Sequence, residues 1–360
     1  METKTSKMEV RKEVRFAVVM YGGVSLAIYI NGVAQELLKM VRATAADAQD
    51  EGPLISDEEL RGTERVYRQL GQILGREGEE ARELVDPDIP TPIHTRFTVD
   101  ILAGTSAGGI NAVYLAKALA NGQTIDQLKQ LWVEEGDILK LINDAKSVEQ
   151  LDGLKAQKPP KSLLNSQRMY RKLLDALDGM EKDSPSTKEC GSPYVRELDL
   201  FVTATDFRGL PIQLRLSDDV VEERRHRNVF YFRYPDEHSE EACNDFHAGN
   251  DPFLAYAARC TSAFPFAFEP MKLSDIGSVL ETMTNYRRLG EVGLDRDRWQ
   301  RYFPDYRQPA GDPAHSPETY NFTLRAFVDG GYLDNKPFGH AIDALAVRNS
   351  GCRSTESWST

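Results

Sequence analysis

The chain has 360 residues, 41% of them hydrophobic, and 44 Lys and Arg against 56 Asp and Glu give a net charge of −12. That length can bury one large core or two modest ones, and the acidic balance argues against nucleic acid as a partner and against a broad basic footprint on anionic membranes. Four cysteines, Cys190, Cys243, Cys260 and Cys352, follow no framework spacing, which suits free thiols in a reducing compartment.

Residues 1–15 read as a polar tail without the apolar segment of a secretory signal. No window approaches 18 uninterrupted apolar residues, so a soluble, cytoplasmic protein is expected. Arg15 to Met20 has the pattern of a buried strand running into Tyr21-Gly22-Gly23-Val24-Ser25-Leu26. A helical pattern follows, with Ile28, Val33, Leu37 and Met40 among its apolar positions. Gly22 and Gly23 therefore lie at a strand-to-helix junction, where free backbone N–H groups bind anions. A charged insertion at about 43–93 contains Ser56-Asp57-Glu58-Glu59, of capping-box form. Beyond it Leu60, Tyr67, Leu70, Leu74, Ala81 and Leu84 keep helical spacing. They predict an amphipathic helix on the rim, weakened by Gly71, Gly75 and Gly78; a membrane-lying helix is the sharper alternative.

Phe97 to Ala103 is an apolar run leading directly into Gly104-Thr105-Ser106-Ala107-Gly108-Gly109, with a helical pattern from Ile110 to Ala120 behind it. A strand, a Gly-flanked turn and a helix lift a serine hydroxyl out of the backbone as a nucleophile. The glycines at 104 and 108 leave room for strained dihedrals, and Ala107 can offer its N–H to an oxyanion at the positive helix end. A second insertion, about 143–191, is polar and helical around Leu163, Met169, Leu173 and Leu177. Phe201 to Asp206 reads as a strand. Two further insertions, about 217–250 and 272–320, read as loops, and the basic run Arg224 to Arg227 as a solvated part of the first. The aromatic cluster Trp299, Tyr302, Phe303 and Tyr306 could line an acyl pocket, although packing under a long insertion is the simpler reading. Phe322 to Val328 predicts a strand delivering Asp329-Gly330-Gly331 to its carboxyl end, where catalytic groups of open α/β sheets gather. Pro337 to Val347 reads as a helix, and 348–360 as a Ser/Thr-rich tail.

Taken together these blocks resemble the patatin-like phospholipase family, over Phe16 to about Ala346. The anchors are the Gly22-Gly23 loop, the elbow around Ser106, Phe201 to Asp206, Ala258-Arg259-Cys260-Thr261-Ser262-Ala263-Phe264-Pro265, and Asp329-Gly330-Gly331. The resemblance implies a three-layer α/β/α fold with a mainly parallel central sheet spanning 16–347. It implies a lipid acyl hydrolase of the phospholipase A or esterase type, with Ser106 as nucleophile, Asp329 as general base, no histidine and no cofactor. Gly22 and Gly23 would supply the oxyanion amides, with Gly330 and Gly331 supporting Asp329. The partner would be a lipid ester, met at a transient lipid interface of which the sequence shows no obvious sign. The chain departs from the family's first loop, where a third glycine and a basic residue are usual: here Val24 and Leu26 stand. A catalytically weakened, lipid- or protein-binding regulatory module is therefore the alternative. Proteins of this kind continue into another strand after the last helix, so the chain is expected to be a fragment.

A conventional esterase with a histidine triad is a third reading. Of His94, His226, His238, His247, His315 and His340, only His340 follows Asp329, as the order serine, acid, histidine requires. It falls on a helical pattern and reads as a packing or surface residue. His238, Cys243 and His247 match no standard zinc spacing, and no metal is expected.

Overall fold

A computed structural model describes residues 10–46, 53–83, 93–135, 138–149, 151–156, 158–183, 191–217, 219–235, 244–291, 296–308 and 315–353. Six strands form one mixed sheet: β1 Val10–Met20, β2 Ile93–Gly104, β3 Leu198–Arg215, β4 Val220–Tyr234, β5 Met271–Lys272 and β6 Ala326–Asp329. β1, β2 and β3 run parallel and form its core, while β4 and β6 pair antiparallel with β3, and β5 with β6. The longer helices are α1 Ala27–Thr44, α2 Glu64–Glu83, α3 Ala107–Asn121, α4 Asp126–Glu135, α5 Ser166–Asp183, α6 Asp251–Thr261 and α7 Phe338–Arg353.

The three-layer arrangement follows from strands apolar on both faces, as parallel strands in α/β proteins are. Val99 and Leu102 of β2 face the large core with α3, whereas Ile101 and Ala103 meet Ala341 of α7 on the opposite face. α3 is buried all round from Ala107 to Ala120, and a helix apolar on every side can only sit inside. Its buried Lys117 is neutralised by Asp251 at 2.7 Å and Glu181 at 2.8 Å.

Several elements differ from the sequence reading. β1 begins at Val10, inside the stretch read as a polar tail: it pairs with β2 from Val10 onward, so ladder pairing carries a segment whose Lys12, Glu13 and Arg15 stay exposed. The segment expected to be a loop at 217–250 contains β4, with Arg225 and Arg227 in register with Leu210 and Thr205. β6 covers only Ala326–Asp329, the preceding Phe322–Leu324 being a short 3-10 turn. Ser56 and Glu59 do bond to one another, but they close a turn, and α2 starts at Glu64. Over 64–75 its buried positions are Glu64, Arg68, Gly71 and Gly75, while Leu70 is exposed. A side chain at Gly71 would lie 2.9 Å from the Thr95 carbonyl oxygen, so this glycine lets α2 approach the sheet. In α1 the buried face is Ala34, Leu38 and Val41, with Ile28 and Val33 exposed. Trp299, Tyr302, Phe303 and Tyr306 are packed with Phe253 and Phe327 in the core, as the packing reading expects. Ala81 is in α2 with no side-chain environment described, and Leu84, His238, Cys190, Cys243 and the 354–360 tail lie outside the described residues.

Candidate active site

Ser106 and Asp329 are brought together by strand order. Gly104, at the end of β2, pairs with Met20 of β1 and with Val202 of β3. Two residues further along β3, Ala204 pairs with Asp329 of β6 on one edge and with Asn228 of β4 on the other. β6 thus continues the β3 edge that β2 leaves, and its carboxylate meets the turn following β2. The Ser106 hydroxyl donates to Asp329 Oδ2 at 2.7 Å, across 223 residues of sequence.

The elbow around Ser106 is tightly built. Ser106 has φ 54° and ψ −126°, a region that side-chain-bearing residues occupy at a cost of about 1–3 kcal/mol unless the surroundings impose it. Three bonds impose it here: Ser106 N donates to Thr261 Oγ1 at 2.8 Å, Thr105 N to the Met20 carbonyl at 3.1 Å, and Ile110 N to the Ser106 carbonyl at 3.0 Å. A Cβ on Gly108 would stand 2.3 Å from the Met20 oxygen, and one on Gly104 would stand 2.7 Å from the Gly108 oxygen. Both positions admit only glycine. Ala107 opens α3, whose first N–H groups have no intrahelical acceptor.

Asp329 is held as firmly. Its N–H donates to the Ala263 carbonyl, its carbonyl accepts from Thr205 Oγ1 at 3.0 Å, and Oδ1 accepts from Gly331 N at 2.7 Å. Gly330 packs on Thr203, whose carbonyl oxygen a Cβ would approach to 2.5 Å. Burial pushes the Asp329 carboxyl above the usual aspartate range, against the Gly331 N–H, the Ser106 hydroxyl and the Arg259 charge, which pull it down. Arg259 is fully buried, donates to Ser166 Oγ and lies 4.0 Å from the centre of the Phe268 ring. Burial lowers its guanidinium to about 10.

Gly22, Gly23, Ser106, Asp329 and Gly331 line one cavity of about 450 Å³, together with Phe264, Tyr332 and Asn335. Phe264 and Tyr332 are 51% and 54% exposed, and Phe266, in the same turn, is 92% exposed. Apolar side chains thus stand open to solvent beside the cavity, a feature that composition could not reveal. The histidine reading fails on geometry: His340 stacks on Phe201 at 5.5 Å and faces Asp334 at 3.5 Å, while the Ser106 hydroxyl goes to Asp329. Among the described residues no group of His, Cys, Asp and Glu could hold a metal.

The family model for patatin-like phospholipases matches residues 93–342, well over half of the chain. The chain belongs to the patatin-like phospholipase family. The match takes in the Ser106 elbow and Asp329, and it begins after the Gly22-Gly23 loop, where Val24 and Leu26 depart from the family pattern. The chain is also 28% identical, over 334 residues, to an uncharacterised membrane protein of Mycobacterium tuberculosis. That alignment covers 91% of this chain and 25% of the mycobacterial protein, so the chain spans about a quarter of its relative's length. No helix of the described residues is long and apolar enough to cross a membrane. No solved structure matches the chain.

Two participants were missed in the sequence. Thr261, which holds the Ser106 N–H, lies in the block Ala258 to Pro265 and was not singled out there. Asn335, whose side-chain oxygen accepts the Gly22 N–H at 3.1 Å, lies six residues beyond Asp329 with only that proximity as a signal.

Proposed function

We propose that this member of the family hydrolyses carboxylic esters of lipids through Ser106 and Asp329. The observation that carries the reading is the 2.7 Å bond from the Ser106 hydroxyl to Asp329 Oδ2, inside a cavity edged by exposed aromatic side chains. Ser106 Oγ attacks the ester carbonyl as its proton passes to Asp329. The tetrahedral intermediate collapses, and the departing alcohol takes that proton. Water then attacks the acyl-enzyme by the same route in reverse. The carboxylate's weakness as a base is offset by contact with the hydroxyl and by the burial that raises its pKa. Amides of Gly22, Gly23 and Ala107 are the candidate oxyanion donors. Phe264, Phe266 and Tyr332 suit an acyl chain delivered from a lipid surface. The test is labelling by a fluorophosphonate probe, expected for the wild type and absent for Ser106→Ala; an unlabelled wild type would overturn the reading.

The pH dependence follows from the raised Asp329 pKa. The carboxylate must be ionised to accept the proton, so kcat/KM falls as pH drops through its folded-state pKa. The acid limb is expected above the ordinary aspartate value of about 4. A rate that holds flat down to pH 4 would contradict it.

A second reading, a weakened module that binds lipid or a partner protein, is favoured by one observation: the segment Tyr21 to Ile30, the first loop and the start of α1, carries no Lys or Arg. Leu26 lies against Gly23, where a Cβ would come 2.9 Å from Leu26 Cδ1. Combining Val24→Gly with Leu26→Arg should raise the steady-state rate on a short aryl ester by about 10-fold, part of what one oxyanion donor is worth. A double variant no faster than an already fast wild type would show the site complete as it stands. Inactivity of both, without labelling, would favour the binding module.

A further inference from the structure

The Gly22 N–H, a candidate oxyanion donor, is already engaged: it donates to Asn335 Oδ1 at 3.1 Å. The carboxamide sits between two glycines beside the nucleophile. A Cβ on Gly22 would lie 2.4 Å from Asn335 Oδ1 and 2.9 Å from Ser106 Cβ, and a Cβ on Gly331 would lie 3.1 Å from the same Oδ1. A side chain at Gly22 would displace it, and one at Gly331 would crowd it. An sp² oxygen held against Gly22 N–H, next to Ser106, would compete for that N–H with the carbonyl oxygen of a bound ester. Asn335 also lines the cavity shared by Ser106, Asp329 and Gly23. The end of β6 and the turn that follows it therefore bring both the Asp329 carboxylate and the Asn335 carboxamide to that cavity.

A carboxamide carries an acceptor on one side and two donors on the other, and rotation about χ2 exchanges them over a broad, nearly two-fold profile. The oxyanion has no cation on the first loop to meet it, since Tyr21 to Ile30 contains neither Lys nor Arg. The adjacent Lys336 has its ammonium 5.4 Å from the centre of the Tyr21 ring. On that segment only neutral N–H dipoles are at hand, and each such donor is worth about 10²-fold in rate.

We propose that Asn335 is a catalytic residue of the oxyanion site. Its Oδ1 caps the Gly22 N–H while no ester is bound. When the ester oxygen takes over that N–H, the side chain swings back about χ1 to make room and, turned about χ2, donates from Nδ2 to the oxyanion. The Asn side chain thereby fills the site in the resting state and adds a donor in the transition state. This inference rests on the hydrolase reading above.

The experiment compares wild type, Asn335→Ala and Asn335→Asp on a short-chain aryl ester, together with fluorophosphonate labelling rates and melting temperatures. Asn335 is exposed, so both variants are expected to fold. Asn335→Ala should lower kcat by about 10- to 100-fold with KM changed less than about threefold, the mark of an interaction made only in the transition state. Asn335→Asp, nearly isosteric, should lose more, because a carboxylate cannot donate and repels the oxyanion. An unchanged kcat in Asn335→Ala overturns the proposal, and so does a raised one, which would make the carboxamide merely an obstruction. A KM increase at constant kcat would assign Asn335 to ground-state binding and also overturn it. Labelling of wild type together with one of these overturning results removes the Asn335 role alone; a wild type that neither labels nor turns over removes the hydrolase reading and this inference together.

Discussion

Ser106→Ala and Asp329→Asn should each reduce ester hydrolysis by roughly 10³-fold or more, while His340→Ala leaves it within about twofold. Without Ser106 Oγ there is no nucleophile to form the acyl-enzyme. Asparagine at 329 keeps the size and can still receive Gly331 N–H, but its neutral amide oxygen cannot take up the hydroxyl proton. Residual activity in either variant would come from the amides and binding alone. His340 is spent on the Phe201 stack and Asp334, away from Ser106. The measurement is kcat/KM on a short-chain aryl ester, with each variant's melting temperature compared to wild type. Should His340→Ala prove as damaging as Ser106→Ala, the two-residue mechanism fails. Should Asp329→Asn keep most of the activity, the proton must go elsewhere.

Arg325→Met should destabilise the fold by about 3–5 kcal/mol, the usual cost of removing one partner from a buried ion pair. Arg325 precedes Ala326, the first residue of β6, and holds the fully buried Asp206 of β3 through two nitrogens, Nε at 2.9 Å and Nη2 at 2.7 Å. Nη2 also donates to the Gly209 carbonyl at 2.7 Å, and Tyr306 OH to Asp206 at 3.0 Å. Without the guanidinium, Asp206 would keep the Tyr306 hydroxyl and the Arg208 and Gly209 N–H groups but no countercharge. The pair pins β6 to β3 within four residues of Asp329, so activity should fall with stability. Urea unfolding gives the cost. Adding Asp206→Leu should recover part of it, because the stranded carboxylate is then gone. A loss below about 1 kcal/mol for Arg325→Met would show that the pair does not hold this part of the sheet.

The elbow and the Asp329 turn were legible because their requirements are local. A strand, a glycine and a helix start all fall within a dozen residues around Ser106, and Gly104 is required by the nearby Gly108 carbonyl, whereas Gly108 is required by the distant Met20 carbonyl and was legible only from its place in the motif. The apolar runs of β1, β2 and β3 were legible for the same reason: buried parallel strands need no polar face. β4 was not, because half of an edge strand faces solvent, and Glu222 to Arg227 therefore reads as a charged loop. The apolar stripe of α2 misled as well. Its close approach to the sheet is made at Gly71, and Arg68 donates to the Ala43 carbonyl of α1 and to the Ile55 carbonyl, so hydrogen bonds and close approach replace apolar burial.

The amino-acid sequence by itself marked the candidate nucleophile, the candidate carboxylate, the glycines beside them and the α/β class, since each is written in a short stretch with its own steric logic. Only the tertiary structure decided that Ser106 meets Asp329 and not a histidine, and that Asn335 reaches back to Gly22. Those meetings depend on β2 and β6 sharing one edge of β3 and on a loop folding across the ends of two strands. Such contacts join residues more than 200 positions apart, and no local pattern of charge or hydropathy encodes which strand edge will be free to receive them.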